Sequence, residues 1–258
     1  MNDIPDGRRI QSDEILLDII EQMERDGTVG VSELADRVGR SKSTVHAHLV
    51  SLAHRGYVVN DGGQYRLGLR FLDIGVRVRE RIDLYHVAAP KLEEMAIQSK
   101  GNTRCLVEEN GLGTFIAGAT GKHSVSTDAR VGTQMPLHCI SGGKAILAHL
   151  PKRNVRSIID RYGLEKRTDN TITDIERLFE TLEQIRSDGF ALNLGESADG
   201  IHAVGAPVLN ERGGVIGAIS VSGAANRLPV ERCRGEIADL VIATANEIEL
   251  DLTYAESR

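Results

Sequence analysis

Along the first part of the chain, apolar positions fall at intervals of three and four, the spacing that lines one face of an α-helix. Ile15, Leu16, Ile19, Ile20 and Met23 form the first stripe. Ser12 is placed to cap it, Asp13 and Glu14 suit the positive end of the helix dipole, and Gly27 is a natural stop. Leu34, Ala35 and Val38 form a second stripe, opened by Ser32 and closed by Gly39. Val45, Leu49 and Leu52 form a third, capped by Ser41 or Ser43 and ended at Arg55-Gly56. The period then changes to two. Tyr57-Val58-Val59 and Gln64-Tyr65-Arg66-Leu67 flank the turn Asn60-Asp61-Gly62-Gly63, which predicts a hairpin. Two short helices joined by a Gly-containing turn, the second opening on polar and basic residues, predict a winged helix-turn-helix.

The run LGLRFLDIGVRVRERI, residues 67–82, reads as a further helix with Leu69, Leu72, Val76 and Ile82 roughly on one face. It has no catalytic pattern; a helix there links the wing to a second domain and offers a two-fold contact. Beyond it, residues 83–100 look helical through Val87, Leu92, Met95 and Ala96. Thr103–Glu108 and Thr114–Ala119 read as strands around Asn110-Gly111, with a third strand near Ser124–Asp128. Helices follow over Gly142–Leu150 with Ser141 as cap, from Pro151 to Tyr162, and from the capping box Thr173-Asp174-Ile175-Glu176 to Ser187. Strands recur at Phe190–Leu194, Ile201–Leu209 and Val215–Ser222, and a terminal helix begins near Pro229. Strand runs separated by helix runs, with two hairpins, indicate an α+β domain on an antiparallel sheet. The expected division is a winged helix-turn-helix over 1–67, a linker helix over 68–82 and a second domain over 83–258.

Charge changes this picture. The 258-residue chain carries a net charge of −6, which as an average argues against a nucleic-acid partner. The average is misleading, because the segments differ: −7 over residues 1–36, +6 over 37–79 and −5 over the remainder. A basic block inside an acidic chain is the footprint of a phosphate-contacting surface, or else a solvated helix face. The absence of Trp, with only five Tyr and four Phe, disfavours the stacking platforms that hold single-stranded nucleic acid. Cys105, Cys139 and Cys233 supply neither a disulfide framework nor a CxxC knuckle. The start MNDIPDGRRI is not a signal peptide, and no apolar run approaches the ~20 residues of a membrane span. A soluble, cytoplasmic protein without membrane partners is expected.

In the winged-helix reading, the third helix enters a major groove by its N-terminal end. Arg40 and Lys42 then neutralise phosphates, Ser43 and Thr44 bond phosphates or base edges, His46 lies off the buried stripe, and Arg66 sits on the wing. Ser43 equally serves as a cap alone. Catalytic motifs fail: Gly142-Gly143-Lys144 is followed by Ala145 and lacks the spacing of a P-loop, and no Ser stands in G-x-S-x-G. His138-Cys139 with His123 or His202 lacks metal-ligand spacing, so neither metal nor cofactor is expected. One place is chemically open. Ser141-Gly142-Gly143 at a helix start offers free N–H groups and no bulky side chain, which suits a carboxylate. Ser220 and Ser222 alternate on one strand and share a face, either towards such a ligand or towards solvent.

The chain resembles the IclR family of transcriptional regulators over nearly its whole length. The resemblance is carried by SKSTVHAHLVSLAHRGYVV, YRLGLRFLDIG, MPLHCISGGKAILAHLP and GFALNLGESADGIHAVGAPVLNERGGVIGAISVSGAANRL, in the family's order. It implies a winged helix, a linker helix and a GAF-like effector domain with a central antiparallel sheet. It also implies homodimers, often paired as tetramers, on double-stranded and palindromic operators, responding to carboxylic, aromatic or sugar-derived acids. The effector site it implies comprises Met135, Ser141, Gly142, Asn193, Ile201, Ala203, Ser220 and Ser222, with Glu196 nearby. Asn193 and Ala203 depart from residues common at those places, as do Ala47 and His48 in the third helix. The resulting expectation is a ligand-responsive, sequence-specific DNA-binding regulator without catalysis. The alternatives are a redox- or metal-responsive sensor or small-molecule enzyme acting through Cys139 or Cys105, and a winged-helix scaffold for protein contacts.

Overall fold

A computed structural model describes residues 9–125 and 129–256. By its contacts the chain divides into two compact units, one reaching to Arg79 and one starting at Glu80. In the first, α1 (Gln11–Asp26) leads through the two-residue strand β1 (Val29–Gly30) into α2 (Val31–Val38) and α3 (Lys42–His54). The hairpin β2 (Val58–Asp61) and β3 (Gln64–Leu67) follows. The three predicted stripes meet: Ile15, Ile19, Met23, Leu34, Val45 and Leu49 form one core with Val58 and Tyr65. Gly62 and Gly63, at φ of 58° and 88°, supply the left-handed backbone that turns the wing.

Two predicted caps are displaced. α1 begins at Gln11 with Ile10 as its N-cap, so Ser12 lies inside the first turn and bonds the side chain of Asp13 instead. α2 begins at Val31 with Gly30 as cap, because Val29 and Gly30 are drawn into an antiparallel pairing with Tyr65 and Gln64. At α3 the choice resolves to Ser41, whose Oγ accepts from the Thr44 N–H. α4 (Arg70–Arg79) is shorter than the predicted 67–82 helix and buries none of its residues; Leu69 is 78% and Leu72 62% exposed.

The second unit is three-layered. α5 (Asp83–Ser99) precedes the hairpin β4 (Asn102–Glu109) and β5 (Leu112–Thr120), and β6 (Gln134–Pro136) follows. Next come α6 (Ser141–His149), α7 (Lys152–Tyr162) and α8 (Ile175–Asp188). Then β7 (Ala191–Leu194), β8 (Ile201–Leu209) and β9 (Val215–Ala224) complete an antiparallel sheet of order β6-β5-β4-β9-β8-β7. α9 (Val230–Arg232) runs through a wide turn at Cys233–Ile237 into α10 (Ala238–Glu256). α5 and α10 cover one face through Leu92, Met95, Val241 and Ile248, packed on Val204, Ile219 and Val221. α6, α7 and α8 cover the other through Ile146, Val155, Leu178 and Leu182, packed on Leu106, Phe115 and Ala218. Both faces are covered, which explains why β8 and β9 read as near-continuous apolar runs.

The expected strand near Ser124–Asp128 is not observed: Ser124 and Val125 are outside any strand, and residues 126–128 lie outside the described residues. The strand beside β5 is β6 instead, pairing Gly113 with Met135. Ser141 is the first helical residue rather than a cap, and at α8 the cap is Asp174, whose carboxylate accepts from the Arg177 N–H.

Along α6, every residue from Ser141 to Ala148 is buried. Such seating demands that backbones touch. A Cβ on Gly205 of β8 would stand 2.6 Å from the Gly142 nitrogen, and one on Gly143 would stand 2.3 Å from the Leu137 carbonyl oxygen. Gly205→Ala is therefore expected to destabilise the protein by about 1–3 kcal/mol, the usual range for overpacking. Urea unfolding measures it; a change within about 0.5 kcal/mol, as at an ordinary surface position, overturns the close-packing account.

Candidate functional site

Two places bring the predicted residues together. At the start of α3, Lys42, Ser43 and His46 are exposed and Thr44 is half-buried, while Val45 and Leu49 point into the core. Ser41 Oγ lies 2.9 Å from Ser43 Oγ and 2.8 Å from Thr44 Oγ1, so one cap residue orients both hydroxyls. From sequence the cap stays open between Ser41 and Ser43; the hold of Ser41 on two neighbouring hydroxyls follows only once the helix start is fixed. Arg40 is exposed beside them, and Arg66 projects from β3 on the side opposite buried Tyr65.

The structure also refines the basic block. Arg37 pairs with Asp26 and Glu33, and Arg77 pairs with Asp73 at 3.0 Å. Arg70 lies over the Tyr57 ring, 5.0 Å from its centroid. Arg40, Lys42, Arg55 and Arg66 have no acidic partner among the described residues, and three of these four were singled out from sequence.

In the second unit, a cavity of about 190 Å³ lies between α6 and the sheet. Its lining includes Met135, Ser141, Gly142, Asn193, Ile201, Ala203, Ser220 and Ser222. Sheet register explains the grouping. Ser222 pairs with Ala203, which pairs with Asn193, and one rung along Ser220 stands between Gly205 and Arg104. Residues paired across strands share a face, so these small side chains form a floor beneath the N-terminus of α6. The hydroxyls of Ser141, Ser220 and Ser222 make no hydrogen bond among the described residues. The N–H groups of Ser141, Gly142 and Gly143 fall in the first turn, where a helix has no internal acceptor.

Sequence reasoning missed Arg104 and Arg167, which also line the cavity, together with Leu106, Phe115 and Ser197. No aspartate or glutamate is among its described lining residues.

Glu196 lies outside this cavity. Both its carboxylate oxygens receive the Lys144 ammonium at 2.5 Å, and Lys144 is only 1% exposed. Burial pulls the Lys144 ammonium below the ordinary lysine range and pushes the Glu196 carboxyl above its own; each partner's charge opposes that trend. The pair ties α6 to the turn after β7. Asn193 completes the tie: its Nδ2 donates to the Cys139 carbonyl and to Ser197 Oγ, and its Oδ1 accepts from the Glu196 N–H.

The thiols offer no reactive centre. Cys105 is wholly buried and its pKa is pushed up to about 12 by desolvation; burial raises Cys139 to about 11. Thiolate, the reactive form, is scarce at neutral pH in both. His138 Nε2 donates to the Glu165 carbonyl and His202 Nδ1 to that of Leu228, and the described residues hold no metal-ligand cluster. No helix among the described residues is long and apolar enough to cross a membrane.

Comparison with known proteins gives two family matches. Residues 14–62 match the IclR helix-turn-helix domain, and residues 76–250 match the bacterial transcriptional regulator IclR C-terminal domain. The probable HTH-type transcriptional regulator ArcR of Halobacterium salinarum is 30% identical over 252 residues, covering 96% of each chain. The crystal structure of Thermotoga maritima IclR superposes with a TM-score of 0.77 at 28% identity, covering 94% of this chain and 97% of that one. An IclR homologue from Microbacterium hydrocarbonoxydans complexed with 4-hydroxybenzoate has a TM-score of 0.81 at 24% identity, covering 95% of this chain and all of that one.

The buried ion pair yields a direct mutational test. Lys144→Met strands the Glu196 carboxylate in the interior and is expected to cost about 3–5 kcal/mol; adding Glu196→Leu is expected to restore most of it. Denaturant titration of the single and double variants checks this, and equal stability of the two overturns it.

Proposed function

The chain belongs to the IclR family of transcriptional regulators, and from that premise we propose how its two units divide the work. The chain is a helix-turn-helix regulator. Working in the cytoplasm, α3 lies in the major groove, Arg40 and Lys42 neutralise phosphates, and Ser43 and Thr44 reach base edges or phosphates from the Ser41 cap. Arg66 follows from the wing, and His46 lies beside the groove. α4, with Leu69 and Leu72 exposed, serves as the linker between units and joins two copies on a palindromic operator.

The effector is a small organic acid, or a sugar-derived one, held in the cavity under α6. One observation carries this reading: a cavity lining with unpaired hydroxyls and a helix N-terminus contains no described carboxylate of its own. Helix N-termini attract anions through free N–H groups and the aligned dipole. Met135, Ile201 and Ala203 supply apolar contact for the ligand's carbon skeleton, and Asn193, its amide engaged with Cys139, Ser197 and Glu196, shapes the wall. The 4-hydroxybenzoate in the Microbacterium protein is also a carboxylate.

Binding to DNA upstream of the protein's own gene, followed by fluorescence anisotropy, is expected to weaken steeply with salt. Lys42→Ala is expected to weaken all sites alike, whereas Thr44→Ala also changes sequence preference. Equal losses on every sequence for Thr44→Ala remove its base-reading role, and salt-insensitive binding removes the whole arrangement. For the effector, a thermal-shift panel of organic and sugar acids is expected to raise the Tm of the wild type and to raise it less in Ser220→Ala. A shift with neutral compounds alone overturns the acid.

A further inference from the structure

Arg104 is a cation with an incomplete set of partners. Its Nε donates to the Ala129 carbonyl at 2.7 Å, and its Nη1 to those of Thr103 and Ala119 at 2.8 and 3.0 Å. Those bonds hold the guanidinium at the cavity lining through neutral carbonyls alone among the described residues. No aspartate or glutamate pairs with it among the described residues, and Nη2 has no acceptor there. Burial draws its pKa below the ordinary arginine range. Arg104 is half-buried, so its positive charge is partly withdrawn from water while no aspartate or glutamate among the described residues answers it, an arrangement that an anion would complete.

The fold makes room for this side chain. Directly across β5 stands Gly118, where a Cβ would fall 2.6 Å from Arg104 Cδ and 2.9 Å from Nη1. On the other side of Arg104 the rung continues through Ser220 to Gly205, and Gly205 touches the first residues of α6. The cavity floor thus has two anion-attracting ends. One is the N-terminus of α6 above β8 and β9, where Ser141 is 2% exposed with its hydroxyl unpartnered among the described residues. The other is the guanidinium above β4 and β5. The two ends therefore stand over different strand pairs of one floor, which suits a ligand carrying an acid group at each end.

We propose that the effector is a dicarboxylate: one carboxylate sits at the α6 N-terminus, Arg104 reads a second at the other end, and Ser220 lies between them. This rests on the organic-acid reading above and narrows it. Arg104 is then the specificity-determining residue. It offers a second acid group a charge-assisted hydrogen bond that a methyl terminus cannot accept. Arg167, at the same lining with only the Ser197 carbonyl as side-chain partner among the described residues, adds positive potential.

The test uses full-length protein and pairs of acids matched in carbon number: succinate with butyrate, adipate with hexanoate, glucarate with gluconate. Isothermal titration is expected to show a diacid binding at least about tenfold more tightly than its monoacid in one pair or more. Arg104→Gln is expected to bring that diacid down to the monoacid's affinity, and Arg104→Lys to keep part of the preference. The unliganded Tm and DNA affinity of each variant show whether it folds; the wild-type pairs decide the proposal even where a variant does not. Monoacids binding as tightly as diacids in every pair overturn the proposal alone, as does a preference that survives Arg104→Gln in a folded variant. Failure of both acids in every pair overturns the organic-acid reading and the proposal with it.

Discussion

Burying an entire helix against a sheet is demanding, because every polar group it carries must be matched and every approach must be close enough to exclude water. α6 meets the second condition with glycine at 142 and 143 and with Gly205 opposite. It meets the first at Lys144, which Glu196 is brought inward to answer, and leaves only the Ser141 hydroxyl, at the cavity lining, without a partner among the described side chains. The remaining geometry follows. The inward Glu196 fixes the turn after β7, Asn193 locks that turn to Cys139, and Ser197 is thereby held at the rim of the cavity. Because the floor beneath the start of α6 is made of Ala203, Ser220 and Ser222, the space left between helix and sheet is small and polar on one side.

What the sequence disclosed followed from how local each cause is. The stripes of α1, α2 and α3 are amphipathic over a few turns and were legible without tertiary knowledge. Their caps were less so. Ser32 lost its place because β1 pairs with β3 across more than thirty residues of intervening chain, which no window over residues 28–34 contains. The eight cavity residues came from family blocks, and the sheet register supplies the physical reason that they converge. Glu196 was placed with them by its nearness to Asn193, but a turn between them sends its carboxylate to the other side of the wall. Arg104 stood in TRCLVEE, where alternation makes it look like a solvent-facing strand residue. Only the pairing with Gly118 and Ser220 reveals that its face is an interior one. Lys144 was read as a lysine from a failed phosphate loop. The useful signal was its position inside the apolar run that includes Ala145, Ile146 and Leu147, where a charge requires a buried partner.

The first unit uses charge differently. Acids on α1 and α2 consume Arg37 and leave the cations near the start of α3 and on the wing without local partners. An acidic chain can therefore keep a confined positive surface, since its other surfaces repel phosphate. The Ser41 cap links this electrostatic confinement to backbone order, because the same hydroxyl satisfies the helix terminus and aligns Ser43 and Thr44.

The strand order has a consequence in time. β4 and β9 are neighbours in the sheet but are separated by over a hundred residues of chain, and the cavity floor lies across their seam, with Arg104 on one strand and Ser220 on the other. Contacts of such long range form slowly because loop closure precedes their reward. During synthesis, the helix-turn-helix unit emerges complete while the seam still lacks its second edge. The helix-turn-helix thus precedes the cavity floor in the order of synthesis, because Ser220 and Ser222 lie on the last strand of the sheet. The cavity floor is complete only once β9 has docked beside β4.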